Sequence, residues 1–307
     1  MSLDFIISAI VTVVGISTPI LLAATGELVV EKSGVLNLGV EGMMLIGAVA
    51  GFSVTFTSFN PWLGVLAAAL AGAAISMVFA VLVLSLGSNQ VATGLALAIL
   101  GIGLSTLIGA GFVGIIVPQF GTIFPDALSA DRFWRVIFGY SPLVYLALAI
   151  TFAVGWFLNK TRAGLVLRAV GENDLSAHSI GYSVIGIRYA AIAFGGAMAG
   201  IAGSYFSMVI TPMWAEQMTA GRGWIALALV VFSGWKAGRL LVGAFFFGML
   251  MTLELYAKAS GFQFLPSQFW ASMPYIMAVL VLAVLSFRDR AGSEAPACLG
   301  KPFHSNT

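Results

Sequence analysis

The residues of this chain that could do chemistry are few, and most of them lie in one polar segment, residues 159–188. This segment carries four Lys or Arg side chains and, at its middle, a short run of Glu, Asn and Asp. Only 8% of the whole chain is charged, whereas 60% is hydrophobic. Because so dense a polar cluster cannot lie in hydrocarbon, we expect it to form a large loop on one face of a membrane. The loop offers a surface that a partner could bind and push.

Groupings typical of an enzyme are not evident. The apolar stretches contain no convincing trio of Ser, His and Asp, no H-E-x-x-H pattern and no paired aspartates. The single cysteine, Cys298, excludes an internal disulfide and a cysteine metal cluster, and His178 and His304 are not at ligand spacing. The Gly-Lys pair near the C-terminus is followed by Pro302, so it is not a phosphate-binding loop. We expect no catalytic residue, metal or cofactor.

Long apolar runs predict a polytopic membrane protein. About twenty apolar residues cross a hydrocarbon core of roughly 30 Å, and such runs predict an all-α transmembrane helix bundle of about nine spans, including short or broken helices. Full spans are predicted at residues 5–25, 38–59, 63–86, 92–112, 143–158, 189–213, 240–257 and 272–287. Residues 224–235 are too short for a full crossing, so they form a half-helix or a span with a buried end. We expect one transmembrane domain over residues 1–290 and a disordered cytoplasmic tail over residues 291–307.

The positions of the basic residues predict the orientation of the bundle, because Lys and Arg are retained on the cytoplasmic side. If residues 159–188 face the cytoplasm, alternation of the spans places further cations there: Lys32, Lys236, Arg239, Arg288 and Arg290. The cations outside this pattern are Arg132, Arg135, Arg222 and Lys258. The N-terminus is then external and the C-terminus internal. The net charge of +2 gives no reason to expect a nucleic-acid partner.

Small residues four positions apart predict where helices cross closely. The sets are Gly47 with Gly51, then Gly101, Ser105 and Gly109, and finally Gly196, Gly200 and Ser204. Each set lines one helix face and would let another backbone approach.

Residues 26–42 interrupt the apolar pattern with glycines and three carboxylates. A charged group at the centre of a membrane helix costs about 2.5 to 3.5 kcal/mol, so Glu41 must lie near the interface, pair with another group, or be protonated. One interpretation is an interfacial hairpin in which Glu31 and Lys32 are solvated. The other is a gate or coupling surface beside a translocation path.

Polar side chains also open the fourth span, where Asn89 or Ser88 could simply cap the helix. Alternatively, amides there could offer hydrogen bonds to a polar, neutral solute. The candidates for a substrate pathway are Asn37, Glu41, Asn89, Gln90 and Thr93. Near an external helix end, Glu254 and Lys258 are four residues apart and predict an intrahelical ion pair.

Four stretches stand out in this order: GVLNLGVEGMM (residues 34–44), TGLAL running into GIGL (93–104), RAVGEN (168–173) and GRGWIALALV (221–230). Together they resemble the permease subunits of bacterial ABC importers related to the ribose and branched-chain amino acid permeases. The branch that handles nucleosides and simple sugars is the most similar. The resemblance implies a permease that passes a small polar solute into the cell by alternating access, driven by a separate ATPase.

The resemblance also implies partners and coupling residues. The partners are ATP-binding-cassette ATPase subunits, a second permease subunit of the same or another kind, an external solute-binding protein and the lipid bilayer of the bacterial plasma (inner) membrane. The implied ATPase-coupling residues are Gly171, Glu172, Asn173, Asp174, Ala177 and Gly181. Where the family often has a proline after the asparagine, this chain has Asp174.

Two other classes of membrane protein would show different polar residues. An ion-gradient-driven secondary transporter should show intramembrane carboxylates lining a cavity, for which only Glu41 and Glu254 are candidates. A membrane enzyme acting on a lipid carrier would need clustered catalytic groups. A chain without a phosphate loop must take its energy from elsewhere, and residues 159–188 are the only sizeable contact for that purpose.

Overall fold

The computed structural model describes residues 3–124, 132–259, 266–288 and 295–303, and this part of the chain is predominantly helical. The helices are α1 (Leu3–Lys32), α2 (Val40–Ser58), α3 (Pro61–Ala80), α4 (Gln90–Gly109), α5 (Arg132–Phe138), α6 (Pro142–Lys160), α7 (Arg162–Glu172), α8 (Asp174–Ser179), α9 (Val184–Tyr205), α10 (Arg222–Phe232), α11 (Ala237–Ala259) and α12 (Ser267–Arg288). Single π-helical stretches extend α3 to Ser85 and α9 to Ile210. The expected all-α class is confirmed.

Within the described residues, seven helical stretches are long and apolar enough to cross a membrane. They are Asp4–Lys32, Val40–Ser58, Pro61–Ser85, Gln90–Phe112, Pro142–Lys160, Val184–Ile210 and Ala237–Ala259. Two shorter apolar helices, Arg222–Phe232 and Gln268–Val281, complete the bundle. The prediction of a short helix near residues 224–235 is therefore confirmed.

The first helix is longer than its apolar run. The sequence predicts a span ending at residue 25, followed in one interpretation by a solvated hairpin. Instead α1 continues through Lys32, and Glu27 and Glu31 are each only 1% exposed. The solvated hairpin is wrong for Glu31 because both carboxylates have partners inside the bundle: the Asn37 N–H for Glu27 and the Trp235 indole N–H for Glu31.

Helices α1, α2, α3 and α9 form the centre of the bundle, and α4 packs against α2. Gly47 of α2 lies directly on Gly200 of α9, where an added Cβ would overlap the Gly200 backbone. Gly101 of α4 meets Gly42 of α2 in the same way. Glycine permits such close approach between helices in a membrane, where no hydrophobic effect drives them together. The predicted small-residue contacts at Gly47, Gly101 and Gly200 are confirmed.

Two breaks interrupt the helical path inside the bundle. Residues 33–39 turn the chain from α1 into α2, and Gly34 there has φ +90°, in the region that favours glycine. Residues 211–221 lead from α9 to α10, which begins against Glu41 of α2. Non-helical backbone is tolerated at membrane depth only where protein groups satisfy its hydrogen bonds, so both breaks need specific partners.

Residues 295–303 differ from the disordered tail that the sequence predicts over residues 291–307. They form a compact segment of turns at the end of the bundle that carries residues 159–188. The Cys298 N–H donates to the Gly171 carbonyl at 2.9 Å, and the Gly300 N–H donates to the Gly34 carbonyl at 3.2 Å. Residues 291–294 and 304–307, including His304, lie outside the described residues.

Candidate coupling site and solute path

The polar segment 159–188 folds into two short helices, α7 and α8, instead of an open loop. The Thr161 hydroxyl caps α7 by accepting the Gly164 N–H at 3.0 Å, and Asn173 Oδ1 caps α8 by accepting the Ser176 N–H at 2.9 Å. Such caps satisfy N–H groups that the first turn of a helix leaves free. Gly181 has φ +95° and reverses the chain before α9.

Arg188, at the start of α9, is fully buried and holds α8 in place. Its Nη2 pairs with Asp174 Oδ2 at 3.1 Å, and its Nε donates to the Ser33 carbonyl at 3.1 Å. One guanidinium therefore ties together α8, α9 and the turn between α1 and α2. Removing one member of a buried ion pair is strongly destabilising, because the other charge is left without a partner. Asp174 thus has a structural role that its sequence position alone does not reveal.

Gly171 is the point at which α7 touches the turn between α1 and α2. A Cβ added to Gly171 would overlap the Lys32 carbonyl and lie 3.2 Å from the Gly34 nitrogen. The two backbones are thus in direct contact with no side chain between them. Because packed protein interiors transmit small shifts, a displacement of α7 must move residues 33–39 or break this contact.

Helix α8 buries one face and exposes the other. Ala177 is 2% exposed and packs into a small apolar cluster beneath the helix. On the outside, Leu175 of α8 is 51% exposed, and Ile180 and Tyr182, which directly follow the helix, are 73% and 42% exposed. A group of exposed apolar side chains within a polar segment is typical of a surface that another protein covers.

The structure brings the six predicted coupling residues together within these two helices and the turn that follows. Gly171 and Ala177 are buried, Asp174 is half-buried, and Glu172, Asn173 and Gly181 are exposed. The buried members therefore position the segment, and the exposed ones are open to contact. Their role in coupling stays a prediction.

Glu41, the second residue of α2, caps the start of α10. Its Oε1 accepts the Gly221 N–H at 2.9 Å and the Thr219 hydroxyl, and its Oε2 accepts the Gly223 N–H at 2.7 Å. The start of a helix has free N–H groups and a partial positive charge, which favour a carboxylate. Of the three alternatives that the sequence leaves open for Glu41, the structure shows pairing.

Asn37 and Gln90 meet at the turn between α1 and α2. The Asn37 side chain is fully buried, and its Oδ1 accepts the Gly39 N–H at 2.9 Å just before α2 begins. Gln90 is 4% exposed, and its Oε1 accepts the Leu36 N–H at 2.8 Å. Both amides therefore satisfy backbone groups of the non-helical turn.

Asn89 and Thr93 lie at the start of α4. Asn89 is exposed, and its Oδ1 accepts the Ala92 N–H at 3.0 Å, so its predicted capping role is confirmed. The Thr93 hydroxyl is 2.8 Å from the Ser88 hydroxyl. The five pathway candidates thus fall into three places: the turn between α1 and α2, the start of α10 and the start of α4.

Two cavities in the bundle differ in the side chains that line them. One of about 480 Å³, between α1, α6, α7 and α9, is lined by apolar side chains such as Val29, Phe157 and Phe194. That lining suits hydrocarbon better than a polar solute. The other, of about 270 Å³, includes Gln90 and Phe303 in its lining. Gln90 is the one pathway candidate that lines either of these two cavities, and the pathway role of all five stays a prediction.

Sequence reasoning did not identify the functions of Arg188 and Glu31. Each is a charged residue in or beside an apolar run, which was the available signal, but each has a partner far away in the sequence: Ser33 for Arg188 and Trp235 for Glu31. Among the described residues, no three His, Cys, Asp or Glu side chains are grouped so that they could hold a metal ion. The arrangement positions helices and offers a surface for a partner.

Known proteins resemble this chain over most of its length. A profile of the family described as branched-chain amino acid transport system / permease component matches residues 9–285. A provisionally named glucose ABC transporter permease protein of Haloferax volcanii, TsgC13, is 38% identical, and the match covers 90% of each chain. The guanosine ABC transporter permease protein NupQ of Bacillus subtilis is 32% identical over 94% of this chain and 93% of its own.

A further relative, the nucleoside ABC transporter permease protein NupC of Lactococcus lactis, is 29% identical over 87% of this chain and 89% of its own. No solved structure matches this chain.

Proposed function

This chain belongs to the family of branched-chain amino acid transport system permease components, and we propose that it carries a nucleoside or a simple sugar into the cell. It is a multi-pass membrane protein and the permease subunit of an ATP-binding-cassette importer, which acts with ATPase subunits. We also propose the surface on which the ATPase subunits dock and the route by which their movement reaches the solute path.

The ATPase subunits dock on α8, and the exposed apolar side chains of that helix carry this part of the proposal. Leu175 and Ile180 project from the segment 159–188, and they are 51% and 73% exposed. Beneath them, the ion pair between Asp174 and Arg188 and the packing of Ala177 fix the helix to the bundle. One face of α8 is fixed to the bundle and the other presents apolar side chains, so a partner that binds the exposed face can displace the attached part of the bundle.

Movement of α8 reaches the solute path through the turn between α1 and α2. Gly171 of α7 contacts the backbone of Lys32 and Gly34, and the same turn holds Asn37. ATP binding can shift the permease only through a contact that favours one conformation over the other. We place that contact at α7 and α8, so the turn moves when the ATPase subunits close.

The class of solute rests on the names of the relatives, which refer to glucose, guanosine and nucleosides. Such solutes bind through hydrogen bonds, and Asn37, Gln90 and Thr93 are side chains that can exchange their present bonds for bonds to a solute. Competition by unlabelled nucleosides, sugars and amino acids against labelled guanosine or glucose uptake tests this class. Competition by amino acids alone would contradict it.

The proposal includes three further features of the complete importer. A second permease, either another copy of this chain or a different subunit, faces it across the path. An external solute-binding protein delivers the solute. The assembly lies in the plasma membrane of a bacterium, with α7 and α8 on the cytoplasmic side, as the distribution of Lys and Arg predicts.

The docking surface is tested by Ile180→Asp. A carboxylate buried in an apolar contact loses its hydration without gaining a partner, so we expect co-purification of the ATPase subunits to fall by about tenfold or more. ATP-dependent uptake should fall with it, while the amount of permease in the membrane stays unchanged.

The matched control is Ile116→Asp, because Ile116 is 69% exposed but belongs to the segment between α4 and α5, which we assign to the outer face. This variant should bind the ATPase subunits as the unmodified chain does. Normal co-purification and uptake with Ile180→Asp would remove α8 as the docking surface.

A further inference from the structure

The C-terminal segment, residues 295–303, is bonded to the end of α7. The Cys298 N–H donates to the Gly171 carbonyl at 2.9 Å. The Ala297 N–H donates to Glu172 Oε2 at 3.4 Å, and the Cys298 thiol lies 3.6 Å from the Glu172 carbonyl oxygen. The segment thus contacts the last two residues of α7, of which Gly171 touches the turn between α1 and α2.

The same segment is also bonded to that turn and to the start of α4. The Gly300 N–H donates to the Gly34 carbonyl at 3.2 Å, and Gln90 Nε2 donates to the Lys301 carbonyl at 3.5 Å. Gln90 accepts the Leu36 N–H as well, so one amide joins the turn to the C-terminal segment. Three parts of the chain that are distant in sequence therefore meet on residues 295–303.

Phe303 extends this contact beneath α8. Its side chain is half-buried and packs against the cluster of Val170, Ala177 and Val184 on which α8 sits. Its ring also lies 5.5 Å from the His178 ring, centre to centre, in an edge-to-face arrangement. The segment leaves Leu175 and Ile180 exposed, so it does not occupy the proposed ATPase surface.

We propose that residues 295–303 form a C-terminal strap that makes α7, α8, the turn between α1 and α2, and the start of α4 move as one body. The inference rests on the proposed function, because it concerns how ATPase movement reaches the solute path. Gly171 and Gly34 are in backbone contact, and the strap is hydrogen-bonded to both. It therefore holds α7 and the turn together. Without the strap, α8 can move while the turn stays in place, and ATP hydrolysis loses its link to transport.

The test compares transport with ATP hydrolysis in the complete importer, reconstituted in lipid vesicles with its ATPase subunits, second permease and binding protein. The chain is ended at residue 294 or carries Phe303→Ala. We expect ATP hydrolysis to stay within about twofold and solute transported per ATP to fall by about tenfold for the shortened chain, with a smaller loss for Phe303→Ala. Lys301→Ala is the control, because the Lys301 side chain is exposed and Lys301 contacts Gln90 and Cys298 through its backbone.

Two outcomes would overturn the strap. One is an unchanged ratio of solute to ATP in the shortened chain. The other is a parallel loss in which the rates of transport and ATP hydrolysis fall by the same factor and the unfolding temperature drops, which would show a merely structural role. Failure of the proposed function looks different, because the full-length chain would then show no ATP-dependent uptake at all.

Docking of the strap can be measured separately, because Cys298 is the single cysteine of the chain and is half-buried. In inverted membrane vesicles, we expect a maleimide to label Cys298 severalfold faster in the Phe303→Ala variant than in the unmodified chain, since opening of the strap exposes the half-buried thiol fully. Lys301→Ala should label at the unmodified rate. Labelling of the unmodified chain as fast as that of the denatured chain would contradict the docked position.

Discussion

Glu41 joins α2 to the start of α10, and three donors depend on its carboxylate. We predict that Glu41→Ala lowers the free energy of unfolding by about 3 kcal/mol, because it leaves these donors unpaired inside the bundle. Glu41→Gln should cost less, since the amide oxygen can still accept a hydrogen bond. Thermal unfolding of the purified permease in detergent measures both effects.

The control for Glu41 is Glu254→Ala. Glu254 pairs with Lys258 at 2.7 Å on one helix face, and such a pair contributes only about 0.5 kcal/mol. We expect this variant to unfold within about a degree of the unmodified protein. Equal losses of stability in the two variants would show that Glu41 does not hold α10.

At the residue scale, the sequence predicts local partners and misses distant ones. The Asn89 cap and the ion pair between Glu254 and Lys258 were predicted because each joins residues within four positions. The bond from Arg188 to Ser33 spans 155 positions, and no local pattern indicates which helices lie side by side. Glu31 was misplaced for the same reason, since its partner Trp235 belongs to a different part of the chain.

At the scale of elements, the contact of α7 with the turn between α1 and α2 leads to a prediction for Gly171→Ala. The added methyl group would overlap the Lys32 carbonyl, so α7 must shift away from the turn. We expect the free energy of unfolding to fall by about 1 to 3 kcal/mol and solute transported per ATP to fall with it. Unfolding in detergent and transport in vesicles measure the two effects.

Gly103→Ala is the matched control for Gly171→Ala. Gly103 also lies within a helix, but a Cβ there meets nothing within 4 Å. Alanine is favoured over glycine by up to about 1 kcal/mol within a helix, so a loss of stability in Gly171→Ala but not in Gly103→Ala reports the contact with the turn. If Gly171→Ala behaved like Gly103→Ala, movement would not pass through this contact.

Helix positions followed from the length of the apolar runs, and the short α10 was predicted because its run is too brief to cross a membrane. The end of α1 was not predicted, because Glu27 and Glu31 interrupt its apolar run. Both carboxylates nevertheless lie inside the bundle, where they have hydrogen-bond partners. The order of residues 295–303 was missed because this short segment, with one Gly and two Pro, lacks the long apolar run that predicts a helix. Their order comes from contacts with Gly34, Gly171 and Glu172 that the sequence does not reveal.

At the scale of the whole molecule, the order of four sequence stretches indicated the family, and the match over residues 9–285 confirms it. Buried carboxylates alone would also fit an ion-driven transporter. In this chain, however, each of these carboxylates accepts a hydrogen bond within the protein. Glu27 accepts the Asn37 N–H, Glu31 accepts the Trp235 indole N–H, and Glu41 accepts the Gly221 N–H just before α10. These carboxylates hold helix breaks in place, and the energy for transport comes from the partner ATPase.

The central claim is that α8 faces the cytoplasm and is covered by an ATPase subunit. Ser179 is exposed on α8, and Ser179→Cys in a chain with Cys298→Ser provides one thiol at that surface. The decisive measurement is its labelling by a membrane-impermeant maleimide in intact cells and in inverted vesicles with and without the ATPase subunits. We predict no labelling in cells, rapid labelling in vesicles that lack the ATPase, and protection when it is bound. Labelling in intact cells, or equal labelling with and without the ATPase, would contradict the account.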